Sequence, residues 1–306
     1  MQNKILQIID YLKINNSLNF FENNYIKSLN NKWFDFSAEI LLNGQKYEGR
    51  GIDDSSEIAI TKAIYEAIER TLLEENDIDN SNGVAISNSI EFSKESAKNE
   101  LIERHLFLRH WINLIGYNYL SNEDTKFFEK IFYTYFPSTI NVNFFETESI
   151  QSQKCVLCIA TGEKHSQQFG AVIGLSAKPN QTYAIKHSFF EMLSTTSHDF
   201  NLNTFSENIT LDQFKNIKDI TFNDHGKLAK NFPYYKNFSF LFNKNNNTNS
   251  FACSEQLNNI EFNYKILKIP FPFDLGAVRC TSPQLLKLYT GFAERKFINN
   301  YPHFLD

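Results

Sequence analysis

Two long amphipathic helices that carry the same charged signature constrain this chain more than any other feature. Apolar periodicity places the first over about 55–76, with YEAIER at 65–70, and the second over about 93–115, with NELIER at 99–104. Glu66 and Glu69 stand three apart, as do Glu100 and Glu103. Residues at i and i+3 share a helix face, so each helix presents two carboxylates together. A single ExxER is common on exposed helices, where a Glu–Arg pair at i,i+4 adds about 0.2–0.5 kcal/mol. Here the charges are embedded among Ile68, Leu101 and Ile102, and semi-buried carboxylates need partners.

If the two helices are neighbours, four carboxylates converge and repel one another unless a counter-charge is present. Magnesium takes oxygen ligands and retains water, so it meets that need and allows carboxylates to stand near phosphate oxygens. A triphosphate held by paired metals is the natural ligand of such a cluster. Arg70 and Arg104 each follow the second Glu of their motif, and either can face phosphate oxygens with a planar fork.

Other function classes are disfavoured. The net charge is −5, without the basic stripe of a general nucleic-acid binder. No apolar run approaches the ~20 residues of a membrane span. MQNKILQIIDYLKINN reads as an amphipathic helix and not as a secretory signal, so a cytoplasmic location is expected. Cys155 and Cys158 form a CxxC, but Cys253 and Cys280 are isolated, which argues against a four-cysteine zinc site. KCVLCIA is apolar and strand-prone, so both thiols are expected in a strand. His105, His110, His187 and His198 show no metal spacing and are read as packing or surface residues. No GxxxxGK[ST] loop is present, which disfavours a P-loop ATPase.

The 306 residues, 42% hydrophobic and with 30 Phe, are enough for a sizeable core. Residues 1–30 are expected to be helical. FDFSAEILLNGQKYEGR at 34–50 reads as a hairpin turning at Asn43-Gly44, with GRGID leading into the first long helix. Asp54 and Glu57 have capping-box spacing, and Gly116 is expected to stop the second long helix. An aromatic helix is expected at 123–137, strands at 139–147, 153–161 and 168–176, and a third long helix at 181–196. A short helix at 211–217, strands near 236–242 and 261–269, and an Asn-rich flexible loop at 243–250 complete the reading. Helices and strands mixed without strict alternation indicate an α+β class. No linker divides the chain, so a single domain over 1–306 is expected.

Four segments, in order, resemble the YcaO family. GRGID…AITKAIYEAIER at 49–70 is similar to its glycine-bearing strand end and first ExxER helix. SNGVAISNSIEFSKESAKNELIERH at 81–105 resembles its Ser-Asn-Gly turn and second ExxER helix. FGAVIGLSAKPNQTYAIKHSFFEML at 169–193 resembles a glycine-containing strand followed by a helix carrying a Glu, and VRCTSPQL at 278–285 resembles a late strand. The resemblance implies a YcaO-like fold of long helices packed on β-sheets. It further implies ATP bound through magnesium by Glu66, Glu69, Glu100 and Glu103, with Arg104 toward the phosphates and Glu191 from the third helix. The implied chemistry phosphorylates a peptide amide oxygen after a nucleophile has attacked the carbonyl. Loss of phosphate then gives an azoline, a thioamide or an amidine. The leading expectation is cyclodehydration of Cys, Ser or Thr in a precursor peptide, with a leader-binding partner protein and a homodimeric state.

The chain also departs from the family pattern. The stretch between the two ExxER motifs is short. Phe92 stands where relatives often carry a Glu, and Ser194 where the third helix usually has a Gln. The ending NNYPHFLD lacks the repeated prolines of azoline-forming members. If that tail enters the site, the Asp306 carboxylates or His303 are candidate general bases; a frayed terminus is the alternative. A catalytically weak scaffold subunit of a modification complex is the alternative to an active enzyme.

Overall fold

In a computed structural model of the chain, the described residues are 2–15, 17–23, 33–78, 80–164, 167–202, 207–245 and 259–305. They form helices and antiparallel sheets, in keeping with the α+β expectation. The chain divides into two compact units: Met1–Leu101 with Glu261–Gln284, and Ile102–Ile260 with Leu285–Asp306.

The first unit begins with α1 (Gln2–Ile14), shorter than the expected helix over 1–30. Leu18–Glu22 is a strand, β1, paired antiparallel with β2 (Phe34–Leu42) in the register Leu18↔Ile40. Its residues alternate between half-buried and exposed, the two-residue period of a strand. β3 (Gln45–Asp53) completes the sheet. The hairpin turns at Asn43 (φ 51°) and Gly44 (φ 80°), the two left-handed residues of the turn that Asn-Gly favours. β3 is longer than the hairpin reading allowed, because GRGID lies within it.

α2 (Ser56–Glu75) packs on this sheet through Ala59, Ala63, Ile64, Ala67, Ile68 and Leu72. Its cap is Ser55 and not Asp54: Ser55 Oγ accepts from the Ile58 N–H, while the Asp53 carboxylate accepts from the Asp54 N–H. β4 (Val84–Ser87), β9 (Asn263–Ile266) and β10 (Gly276–Thr281) form a second sheet in the order β4-β10-β9.

Helix α3 (Ile90–Asn113) supplies residues to both units. It ends before the expected Gly116. Leu114 takes a left-handed φ of 54°, and the Ile115 N–H closes on His110 O at 2.9 Å, a helix-ending turn more often built on glycine.

In the second unit, β5 (Asn118–Tyr119), β6 (Ile140–Glu146), β7 (Lys154–Lys164) and β8 (Gln167–Lys178) form one antiparallel sheet in that order. Cys155 and Cys158 lie on β7, both buried, as the strand reading expected; Cys253 lies outside the described residues. Helices α4 (Glu123–Tyr135) and α5 (Gln181–Leu202) follow the expected positions, and short α6 (Leu211–Lys215) and α7 (Phe222–Ala229) come next. Residues 236–242, expected as a strand, instead belong to α8 (Phe232–Phe238) and a 3-10 turn (Ser239–Phe242). Asn231 caps the Tyr234 N–H at 3.0 Å, and Pro233 occupies the first turn, where a missing N–H does no harm. Phe107, Trp111, Tyr117, Phe132, Phe144 and Phe189 fill an aromatic core. Part of the Asn-rich loop, 246–250, lies outside the described residues.

Candidate functional site

The site residues of the first unit are set by two glycines. Gly49 and Gly51 flank Arg50 on β3, and α2 lies directly over them. A Cβ on Gly49 would stand 2.2 Å from Ala63 O, and one on Gly51 would stand 1.9 Å from Ala59 O. Those are backbone atoms that cannot yield, so glycine and the Ala59-Ala63-Ala67 row together allow the close approach. At this distance the Arg50 N–H, unused by the β2–β3 ladder, donates to Glu66 Oε2 at 2.9 Å. Glu66 Oε1 accepts from Arg70 Nη2 at 2.8 Å. The Arg50 side chain turns away and forks onto the buried Asp35.

Glu69 and Glu100 join Glu66. The Glu69 side chain keeps some accessible surface, but its carboxyl group is enclosed by protein. Loss of solvation first, then the Glu100 and Glu66 charges, hold its pKa well above the usual carboxylate range, against the opposing Arg70 charge. Glu66 and Glu100 are therefore both within electrostatic reach of Glu69. Among the described residues, no three His, Cys, Asp or Glu side chains stand close enough to enclose a metal ion unaided. Magnesium does not require that: it binds through one or two carboxylates and keeps water and phosphate for the rest of its shell. The donor set fits such a cation, because a divalent charge relieves the repulsion that raises Glu69.

In the second unit, β8 has an open edge that holds two more carboxylates. The Leu175 N–H donates to Glu191 Oε2 at 2.8 Å, and the Ala177 N–H donates to Glu103 Oε2 at 3.0 Å. Residues two apart along a strand are separated by roughly 6.6–6.8 Å, so Glu103 from α3 and Glu191 from α5 are brought side by side. Arg104 Nε lies 4.0 Å from Glu103 Oε1, and the Arg104 charge also bears on His303 and Cys155.

The tail of this unit is anchored and not frayed. His303, Phe304 and Leu305 are buried. Tyr234 Oη donates to Pro302 O, and Trp111 Nε1 donates to Tyr301 O at 3.1 Å. His303 Nε2 meets Tyr289 O at 2.8 Å, and burial drives its pKa well down. With its ring sealed in the core, His303 is an anchor of the tail and not an exposed base. Asp306 lies outside the described residues.

The main-chain groups that hold Glu66, Glu103 and Glu191 have no counterpart among the sequence expectations. The amides of Arg50, Leu175 and Ala177 leave no residue-type signal. The alanine row at 59, 63 and 67 facing a GRG strand was the available clue to close packing. His110, read as a packing residue, is buried and paired through Nε2 with Glu148 at 2.7 Å, beside Arg109.

A family model described as "YcaO cyclodehydratase, ATP- and Mg2+-binding" matches residues 73–267. The stretch contains Glu100, Glu103, Arg104 and Glu191, while Glu66 and Glu69 precede it. The YcaO protein of Methanopyrus kandleri, solved with AMPPCP and Mg2+, superposes with a TM-score of 0.60 at 11% identity, covering 92% of this chain and 90% of that one. A heterocyclase solved with substrate and cofactor gives 0.56 at 11% identity, over 87% of this chain and 50% of that chain. The E. coli microcin synthetase McbBCD complex with pro-MccB17 bound gives 0.55 at 14%, over 88% of each chain. At these identities the likeness is one of fold. No curated protein matches the sequence. With the family model matching more than half of its 306 residues, the chain belongs to the YcaO family, whose members bind ATP and Mg2+.

Proposed function

We propose that this chain is an ATP- and magnesium-dependent enzyme that modifies the backbone of a ribosomally made peptide, and that its reaction is cyclodehydration of Cys, Ser or Thr to azolines. The observation that carries the reading is the Glu66, Glu69 and Glu100 group, in which an enclosed carboxyl is crowded by two others. Magnesium-bound ATP supplies the phosphoryl group that converts a peptide amide oxygen into a good leaving group.

Within the chain, Glu66, Glu69, Glu100 and Glu103 are assigned to the cation, with Glu191 beside Glu103 on the β8 edge. Arg104 is assigned to phosphate oxygens, which suit its planar fork. The Asp306 carboxylates are assigned as general base for the attacking thiol or hydroxyl. The burial of residues 303–305 supports that assignment, because it holds the tail within the second unit, in reach of the Arg104 charge. The substrate is a precursor peptide whose leader is captured by a partner protein. The McbBCD structure, a complex with pro-MccB17, supports this division of labour. We assign the enzyme to the cytoplasm as a homodimer; among the described residues, no helix is long and apolar enough to cross a membrane.

A second reading, a catalytically weak scaffold subunit, is favoured by the Arg70 guanidinium already paired with Glu66 Oε1 at 2.8 Å. Mass spectrometry of a cysteine-containing precursor peptide, incubated with the chain, its partner and MgATP, separates the readings. Loss of one water per cysteine with matching phosphate release supports the azoline reading. A sulfur-for-oxygen exchange or an amidine indicates a different nucleophile. Unmodified peptide under these conditions supports the scaffold.

A further inference from the structure

The hydrogen bonds that hold Glu66 and Glu191 repeat one construction in the two units. On β3, a Cβ on Gly49 would stand 2.2 Å from Ala63 O and 2.3 Å from Ala67 N; on β8, a Cβ on Gly174 would stand 2.0 Å from Ser188 O and 2.4 Å from Met192 N. Ala63 and Ala67 lie three before and one after Glu66, and Ser188 and Met192 lie three before and one after Glu191. In each unit the residue after the glycine gives its N–H to Oε2 of that glutamate, Arg50 at 2.9 Å and Leu175 at 2.8 Å. The β8 edge then adds the Ala177 N–H on Glu103 Oε2 at 3.0 Å.

We propose that the open-edge amides of Arg50 in the first unit, and of Leu175 and Ala177 in the second, are positioning groups for the glutamates of their own unit that are assigned to magnesium and nucleotide, and that Gly49 and Gly174 are the residues that let the helices close onto them. The inference rests on the nucleotide reading given above. A carboxylate that accepts a hydrogen bond from a fixed backbone N–H is held in one orientation. A flexible glutamate would have to be ordered each time a cation bound, at a cost in side-chain entropy. The glycine makes the arrangement possible because any Cβ would push the helix, and the glutamate with it, off the strand edge.

Gly170 provides an internal control. It lies on the same strand, and a Cβ there would meet Ala229 O at 2.1 Å, but the residue following it supports no motif glutamate. The experiment is calorimetric binding of AMPPCP to the full chain across a magnesium titration, with wild type, Gly174→Ala and Gly170→Ala, each corrected for folded fraction. Replacing Ala177 by lactate through nonsense suppression, which removes the N–H without adding a side-chain atom and weakens the Ser176 carbonyl as an acceptor, covers the case in which Gly174→Ala fails to fold. The expected result is a magnesium requirement raised about tenfold in Gly174→Ala and in the Ala177 ester, the effect of losing a hydrogen bond to a charged group. Gly170→Ala is expected to stay within about twofold of wild type, the range of ordinary context effects far from a site. Equal shifts in Gly174→Ala and Gly170→Ala, or an unshifted ester, would overturn the positioning role while leaving the nucleotide reading intact. Absence of magnesium-dependent binding in wild type would overturn both.

Discussion

The backbone N–H of Ala177 donates to Glu103 Oε2 at 3.0 Å, joining the second ExxER motif to a strand more than seventy residues later in the chain. With the Leu175 N–H on Glu191, it makes one strand edge the meeting place of two carboxylates from two helices. The first unit uses the same device at Arg50 and Glu66. In both units a candidate site glutamate is held by main chain, which sequence motifs do not display.

The close approach of α2 to β3 predicts a large effect from the smallest side chain. Gly49→Ala drives a Cβ into Ala63 O and Ala67 N, and overpacking of this kind costs about 1–3 kcal/mol. Denaturant unfolding should show this loss, whereas Gly44→Ala, with nothing near its missing Cβ but a φ of 80°, should lose only what its turn conformation demands, about 1 kcal/mol.

The crowding around Glu69 predicts a protein that is more stable without one of its own site residues. Glu69 has a raised folded pKa, so its contribution is most favourable at low pH and weakens as pH rises above the ordinary carboxylate value toward the folded one. At pH 8 and without magnesium, Glu69→Gln should melt about 2–3 °C higher than wild type, the shift expected from about 1 kcal/mol in a chain of this size. Added magnesium and nucleotide should then stabilise wild type and not the variant. Scanning calorimetry reads both effects, and a variant that melts lower than wild type in the absence of magnesium contradicts the crowding.

Asp35 is buried beneath the first unit's sheet and receives the Arg50 fork, with the Asn23 amide at 2.9 Å. Asp35→Ala leaves a mostly enclosed guanidinium without its partner and should cost about 3 kcal/mol in denaturant unfolding. Because Arg50 also supplies the N–H on Glu66, the same variant should weaken magnesium-dependent nucleotide binding.

The tail anchor is pH-sensitive. His225 donates from Nδ1 to His303 O at 3.0 Å and accepts at Nε2 from the Gly291 N–H at 2.8 Å, so the ring is neutral. Burial lowers its pKa from 6.5 to about 4. The stability it contributes is complete above pH 6.5 and declines as pH falls toward 4, by up to about 1.4 kcal/mol per pH unit. His105, also lowered to about 4 by burial and by the Arg109 charge, acts in the same direction. Denaturation across this window should show the decline, and His225→Gln should flatten it.

How much of this could be read from the sequence follows from what each feature rests on. The Asn43-Gly44 hairpin, the ExxER helices and the strands β6, β7 and β8 were legible, because turn chemistry and apolar period are local, whereas the two-residue β5 was too short to leave a pattern. The nearness of Glu66 and Glu100 to Glu69 was legible because the ExxER spacing repeats. The helix at Phe232–Phe238 was not, since FPYYKNF has the aromatic content of a strand and is decided by the Asn231 cap and burial among Trp111 and Phe304. β1 was hidden within an apparently helical N-terminus because its pairing with β2 is a tertiary fact. The anchored tail was equally invisible, since its partners Tyr234, His225 and Trp111 lie far away in sequence.

Whether the motif carboxylates hold a magnesium–nucleotide complex is decided by calorimetric titration of ATP into wild type and Glu100→Gln, with and without magnesium. Wild type should bind only with magnesium, and Glu100→Gln should lose at least about tenfold in affinity, as expected when a metal-ligand charge is removed. Magnesium-independent binding, or equal binding by the two proteins, would contradict a magnesium–nucleotide site at these carboxylates.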